Sequence, residues 1–524
     1  MDTDPTGNPC LDFFFHVVPD TPHETLISLL DSAWTHDPLK ALKLICHLRA
    51  VRGTGKSDKE SFYSAALWLH DHHPKTLSLN IAAIAAFGYM KDLPEILHRI
   101  LNGPDVRKNP DSSETRLEKR ATAAAKAIER YARDPNYRSL HDAVCEFFAG
   151  ALTADLERLR SGKLNEIGLS AKWCPSLASS FDRSTLLCDG IAKRVFGRES
   201  APEYADIEES HYVYRVRARL RREVLVPLRA ALELPEVYVT AKNWGSVPYE
   251  RVASVGMKRH REAFKKHDGE RFGAYVESVK KGEKRIAAGA LLPHEILAGE
   301  AHDEVAELQW RRLVSELLEK GKLRNCIAVC GMSRLKVGTK VRDVGVAMGM
   351  LVAELSEEPW KGQVITFGDR PQLRRIEGET IAEKMSSLKQ MERVTKADLR
   401  AVFEQILEVA VEGGLEAERM IKRVFVFSDV EFDEASVRPW ETDYMAIKGM
   451  YEEKGYAVPE IVFWNLRHSR ATPVTSLEKG VALVSGFSKN MLKVFLEGDG
   501  VIDPVLIMDA AIAGEEYSEL VVFD

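Results

Sequence analysis

Three consecutive stretches, LRNCIAVCGMS (323–333), VGVAMGMLVAELS (344–356) and GQVITFGD (362–369), decide the fold. The first and third are short apolar runs bounded by turn residues, and the second is longer and carries its apolar residues at helical spacing. That is strand, helix, strand. The pattern continues through LRAVFEQILEVAVE (399–412) as helix and KRVFVFSDV (422–430) as strand. DYMAIKGMYEEKG (443–455) follows as helix, and EIVFWNLR (460–467) and GVALVSGFS (480–488) as strands, the last leading into NMLKVFLEG. Near-continuous apolar strands alternating with amphipathic helices specify a mostly parallel sheet covered on both faces, a doubly wound α/β domain over residues 321–524. Its ligand crevice is expected at the carboxyl ends of the strands, which places Cys330–Lys336, Gly368–Arg370 and Ser428–Asp433 on one rim.

Before Gly321 the periodicity changes. From Thr25 to Leu318 the spacing is mostly helical, as in LISLLDSAWTHDPLKALKLICHLRAV, with short Pro/Gly turns and few strands. Helix pairs of this kind predict an all-α, HEAT-like solenoid over residues 1–320, each pair burying its stripe on the next. The 104–126 stretch, polar and then Ala-rich, predicts a loop leading into a helix.

The chain of 524 residues, with 45% hydrophobic and 29% charged residues, has ordinary globular composition. Its seven cysteines contain no CxxC, so neither a structural zinc site nor a stapled secreted domain is indicated, and the compartment is expected to be reducing. The first thirty residues carry acids and prolines where a signal peptide needs a basic start and an unbroken apolar run, and the apolar stretch at 78–90 is far short of a membrane span. A cytoplasmic protein without membrane contact is expected.

Charge is unevenly placed. Between Arg215 and Arg285 there are 18 Lys and Arg against 9 Asp and Glu, whereas residues 401–524 hold 11 against 23. The basic part contains HYVYRVRARLRREVLVPLR and AKNWGSVPYERVASVGMKRHREAFKKH. Guanidinium groups for phosphate and flat rings for bases are what single-stranded RNA recognition uses. The candidate RNA contacts are Tyr214, Arg215, Arg217, Arg219, Arg221, Arg222, Trp244, Tyr249, Arg251, Lys258, Arg259 and Lys265. In a helix, Val216, Leu220 and Val224 form the buried stripe and the arginines fan around the other faces. In a strand, Arg215, Arg217, Arg219 and Arg221 share one face. The alternative is a solvated helix whose arginines pair with Glu208, Glu209 and Glu223.

The blocks CGMSRLKVG, KRVFVFSDVEFD, PEIVFWNLRHSRATPV and GVALVSGFSKNMLKVFL resemble a von Willebrand A-type domain, of the kind forming the C-terminal half of a plant family of unknown function. AKWCPSLASSFDRSTLLCDGIAKRVF, REVLVPLRAALELPEVYVTAKNWGSVPYERVAS and AAGALLPHEIL resemble that family's helical half, itself similar to the RNA-binding TROVE module of the Ro autoantigen. The resemblance implies a helix-favoured basic segment and, in the α/β domain, a magnesium site of the form D-x-S-x-S with a later threonine and aspartate. Here the first motif reads Gly331-Met332-Ser333-Arg334-Leu335. Ser333 and Asp429 match, and Thr395 or Asp398 stands near the third ligand, but an aspartate and a serine are lost while Arg334 and Lys336 add positive charge. No metal and no cofactor is therefore expected. Ser333, Arg334, Lys336 and Asp429 become a candidate protein-binding crevice in which a basic residue takes the cation's place beside Asp429. The alternative is that Asp429 only turns the chain after its strand.

Other motifs weigh less. Ala50–Ser57, AVRGTGKS, fits a loose P-loop, but the apolar residues Leu42, Ile45 and Leu48 before it are helically spaced, so a turn between helices is expected. His70, His72 and His73 close a helix in divergent directions. Cys326 and Cys330 lie about 13 Å apart on a strand, too far for a disulfide. GxSxG and HExxH are absent, and His294-Glu295 lacks a second histidine. A non-enzymatic scaffold is expected, with a structured or single-stranded RNA on the helical half and protein partners on the α/β domain. A protein-protein adaptor without RNA is the alternative, followed by a nucleotide-dependent enzyme using Gly55-Lys56-Ser57.

Overall fold

The structure, a computed structural model, describes residues 6–107, 116–298, 303–330, 340–366, 370–389, 398–428, 440–469, 472–474, 476–496 and 502–524. Among the described residues the chain is mostly helical, with a six-stranded mixed sheet in its C-terminal part. Its strands are β1 (Cys326–Cys330), β2 (Gln363–Thr366), β3 (Leu373–Arg375), β4 (Arg423–Ser428), β5 (Glu460–Asn465) and β6 (Val481–Ser485). They lie in the order β3-β2-β1-β4-β5-β6. All neighbours run parallel except β2 and β3.

Residue type explains this arrangement. CIAVC in β1 and VALVS in β6 are buried at every position, as strands covered on both faces must be. Ala328 of β1 stands in register with Val364 on one side and Phe425 on the other. The antiparallel strand is a departure from the sequence pattern. LRR is three residues long and carries two arginines, so it has no apolar run to announce it, and it is tolerated because it forms the sheet's edge.

Packing divides the chain into two compact units, one of Met1–Ser61 with Val252–Gly514 and one of Phe62–Arg251 with Glu515–Asp524. The first, the sheet unit, recruits the Pro9–His16 helix, which packs against β6. Asn8 caps this helix by accepting from the amides of Cys10 and Leu11, Pro9 opens it, and Cys10 to His16 are all buried. The Lys340–Leu355 helix covers β1 so closely that a Cβ on Gly349 would come 2.0 Å from Cys330 Sγ. The units thus divide the chain differently from residues 1–320 and 321–524, because a sheet apolar on both faces takes its covering helices from either side in sequence.

In the second, the helical unit, the Pro135–Arg160 helix packs against the Pro74–Leu79 and Leu187–Val195 helices. Buried carboxylates pin its turns. Asp92 accepts from the Tyr63 hydroxyl at 2.6 Å and the Tyr89 amide at 2.9 Å. Asp155 accepts from the Gly168 amide and the Ser170 hydroxyl. As expected, the 104–126 stretch leads into a helix, Arg116–Arg133. No helix among the described residues is long and apolar enough to cross a membrane.

Candidate functional site

The basic segment is helical and lies in the helical unit. Glu209–Arg219 is α-helix, Leu220–Leu225 is π-helix, and Val226–Ala231 resumes the α-form. Pro227 brings no amide for the Glu223 carbonyl and crowds it, and one widened turn relieves that conflict. The buried residues Tyr212, Val216, Leu220, Val224 and Leu228 recur every four positions. A strict spacing of four outruns the 3.6-residue α-turn, so the looser π-turn keeps the stripe facing inward.

The arginines separate into two groups. Arg217 reaches inward, donating to Asp189 Oδ1 at 2.5 Å and to Asp182 Oδ2 at 2.9 Å, and Asp182 is itself buried and held by the amides of Ala178 and Cys188. Arg219 donates to Glu223 and to the Tyr204 hydroxyl, and its guanidinium covers the Phe196 ring at 4.1 Å. Arg222 reaches Glu223 at 2.7 Å. These two arginines hold the Glu223 carboxyl below its usual range, with the Arg222 hydrogen bond the largest cause. Arg215 and Arg221 are exposed and make no ion pair among the described residues. Tyr214 is 77% exposed beside them.

The remaining candidates are distributed over both units. Trp244 is half-buried and exposed Arg251 pairs with Glu233. Tyr249 is buried and offers no open ring face. Lys258, Arg259 and Lys265 belong to the sheet unit. There Lys258 is half-buried and donates to the carbonyls of Glu295 and Ala298, and Lys265 faces Glu262.

The 50–57 loop connects the Pro38–Arg49 and Lys59–His72 helices, as a helix-helix turn. Its lysine is committed inward. Lys56 is 3% exposed, and its Nζ donates to the Phe14 and Val17 carbonyls and to Ser485 Oγ, at 2.5, 2.9 and 2.8 Å. Burial pulls it down to about 7, against the opposing pull of Asp58. Asn490 Nδ2 donates to the carbonyls of Val51 and Gly55, Lys493 donates to the Gly53 carbonyl, and the Thr54 hydroxyl donates to the Ala511 carbonyl. A Cβ on Gly55 would lie 2.2 Å from the Ala50 carbonyl oxygen. The loop is a clasp onto the C-terminal elements of its own unit, a role that residues this far apart in sequence could not announce.

All seven cysteines are free and buried, and burial raises Cys326 and Cys330 to about 12. His72 bonds the Trp68 carbonyl and His73 the Asp524 carbonyl. His294 is buried against Phe487, and Glu295 caps its own helix through the Leu292 amide. Among the described residues no group of three or more His, Cys, Asp or Glu could hold a metal ion. Asp398 caps the Leu399–Glu412 helix by accepting from the Ala401 amide. Ser333, Arg334, Lys336, Thr395 and Asp429 lie outside the described residues.

Residues 2–113 and 105–323 match the family model described as Domain of unknown function (DUF2828), which spans more than half of the chain. The chain belongs to the DUF2828 family. Residues 325–518 match a second model, Domain of unknown function (DUF7788). The DUF2828 match ends where β1 is about to begin, and the DUF7788 match contains the whole sheet. This DUF2828 chain is also similar to "Uncharacterized protein L728" of Acanthamoeba polyphaga mimivirus, at 23% identity over 518 residues, 94% of this chain and 83% of that protein.

Proposed function

We propose that the protein is a binding scaffold whose helical part contacts single-stranded RNA and whose α/β domain contacts protein. The observation that carries the RNA reading is the exposed Tyr214 flanked by Arg215 and Arg221, which make no ion pair among the described residues, and by Arg222 on the same helix. Tyr214 and Arg221 are seven apart and Arg215 and Arg222 likewise, a spacing that brings each pair to a common side of a helix. A ring for stacking beside cations for phosphate suits an unpaired strand, whose bases are open, better than a duplex.

The finer fold reading belongs to the same proposal. A von Willebrand A-like domain is supported by the sheet order β3-β2-β1-β4-β5-β6, and a HEAT-like, TROVE-like helical part by successive packed helices. In this reading Ser333, Arg334, Lys336 and Asp429 form a protein-binding crevice. The adaptor reading without RNA draws its support from Arg217 and Arg219, whose charges are spent on Asp182, Asp189 and Glu223.

Anisotropy of a labelled single-stranded RNA against salt concentration tests the proposal. Binding is expected to weaken with salt, and Arg215→Ala with Arg221→Ala is expected to flatten the slope by about 0.7 for each phosphate no longer neutralised. Absence of binding at low salt, with protein partners captured by crosslinking, would leave the adaptor.

A further inference from the structure

The last ten residues described return to the helical unit after a long excursion of the chain through the sheet unit. They are gripped there as a ligand is gripped. Tyr517 is buried with its ring 4.6 Å from that of Phe87, and Leu520 is buried beyond it. Asn80 clamps the main chain of Val521 at both ends, its Nδ2 donating to the carbonyl at 2.7 Å and its Oδ1 accepting from the amide at 3.0 Å. The Thr76 hydroxyl accepts from the amides of Phe523 and Asp524 and donates to Asp524 Oδ1 at 2.7 Å. The Asp524 carboxylate also accepts from the amides of Lys75 and Thr76, and its carbonyl meets His73 Nδ1 at 2.8 Å.

The clamping side chains Thr76 and Asn80 are buried polar groups that bond the main chain and acid of this segment, Asn80 Nδ2 also donating to the Thr76 carbonyl. The segment's own large side chains at the clamp point away, Val521 being 55% and Phe523 64% exposed. Two apolar anchors, a main-chain clamp and a carboxylate seat are elements by which proteins recognise peptide segments. A core strand would instead bury the alternate side chains.

We propose that this face of the helical unit, built on Thr76, Asn80 and Phe87, is a docking site for a segment in which a turned Tyr-x-x-Leu is followed four residues on by an aspartate side chain, filled here in cis by residues 515–524 and open to the same residues of a second copy. A tethered ligand sits at a high effective concentration, so even a weak intrinsic affinity keeps the cis segment in place, and a copy in trans binds once the cis grip is loosened.

The test uses the full chain and a fluorescein-labelled peptide of residues 512–524. Asp524→Ala removes the acid seat's ligand in cis and is expected to bind the peptide at least about tenfold more tightly than the unaltered chain does. Adding Asn80→Ala to that variant is expected to abolish the gain. A folded Asp524→Ala chain that takes up no peptide would overturn the proposal, as would equal uptake with and without Asn80. Should Asp524→Ala fail to fold, a full chain carrying a protease site between Gly514 and Glu515 replaces it. After cleavage the tail is expected to exchange for labelled peptide, and a tail that never exchanges would overturn the docking-site reading.

Discussion

Lys56 carries three donors, and the structure gives it three acceptors, the carbonyls of Phe14 and Val17 and the hydroxyl of Ser485. Lys56→Met fills similar volume but leaves the buried Phe14 and Val17 carbonyls to share the single hydroxyl proton of Ser485, so a loss of about 1 to 3 kcal/mol in urea unfolding is expected. The same clasp contains His47, fully buried and held at about 3 by burial first and by the Lys56 charge second. An unfolded imidazole takes up its proton near pH 6.5, while the folded one refuses it until about 3, so this group's stability is present above 6.5 and is lost as the pH falls toward 3. His47→Leu is therefore expected to show a smaller drop in urea midpoint between pH 7 and pH 4.5 than the unaltered chain, and parallel drops would contradict the assignment. None of this could be read at Gly55-Lys56-Ser57 itself. The sequence there supports a turn between helices, but the groups that Lys56 meets stand about forty residues before it and more than four hundred after.

At the scale of elements, the apolar runs of β1, β4, β5 and β6 and the helices between them were legible because a strand buried on both faces keeps its polar residues to its ends. So was the inward stripe at Val216, Leu220 and Val224. The division of labour among the arginines was not, since Asp182 and Asp189 lie about thirty residues away and only packing brings them to Arg217. That division is measurable. Arg217→Ala strands the buried Asp182 and is expected to cost about 2 to 4 kcal/mol, somewhat under the full cost for a buried pair because Arg217 is partly exposed. Arg215→Ala and Arg221→Ala should change stability by no more than about 0.5 kcal/mol, leaving any loss of RNA binding attributable to the surface. The close approach of Gly349 to Cys330 makes a second case. Gly349→Ala drives a methyl into the sulfur and is expected to cost about 1 to 3 kcal/mol, and pairing it with Cys330→Ala should recover much of that in a double-mutant cycle.

For the molecule as a whole, two divisions of the chain disagree, and the disagreement is itself informative. The family models meet between residues 323 and 325, where helices give way to strands, yet the compact units change over at 61, 251 and 514. Secondary structure tells where a sheet begins, whereas folding depends on what covers it. Here β6 is covered by the Pro9–His16 helix, whose C-terminal carbonyls are held by Lys56, Ser485 and Asn465. A fragment of residues 321–524 contains every strand but lacks that helix and its clasp, and it would expose the face that Phe13, Phe14 and Phe15 now help to bury. It is expected to show strand signal in far-ultraviolet dichroism with no cooperative thermal transition and with binding of a hydrophobic dye. A chain of residues 252–514 co-expressed with residues 1–61 should recover a sharp transition. If the 321–524 fragment alone melted cooperatively, the covering role assigned to the N-terminal helix would be wrong, and the boundary read from secondary structure would be the one that governs folding.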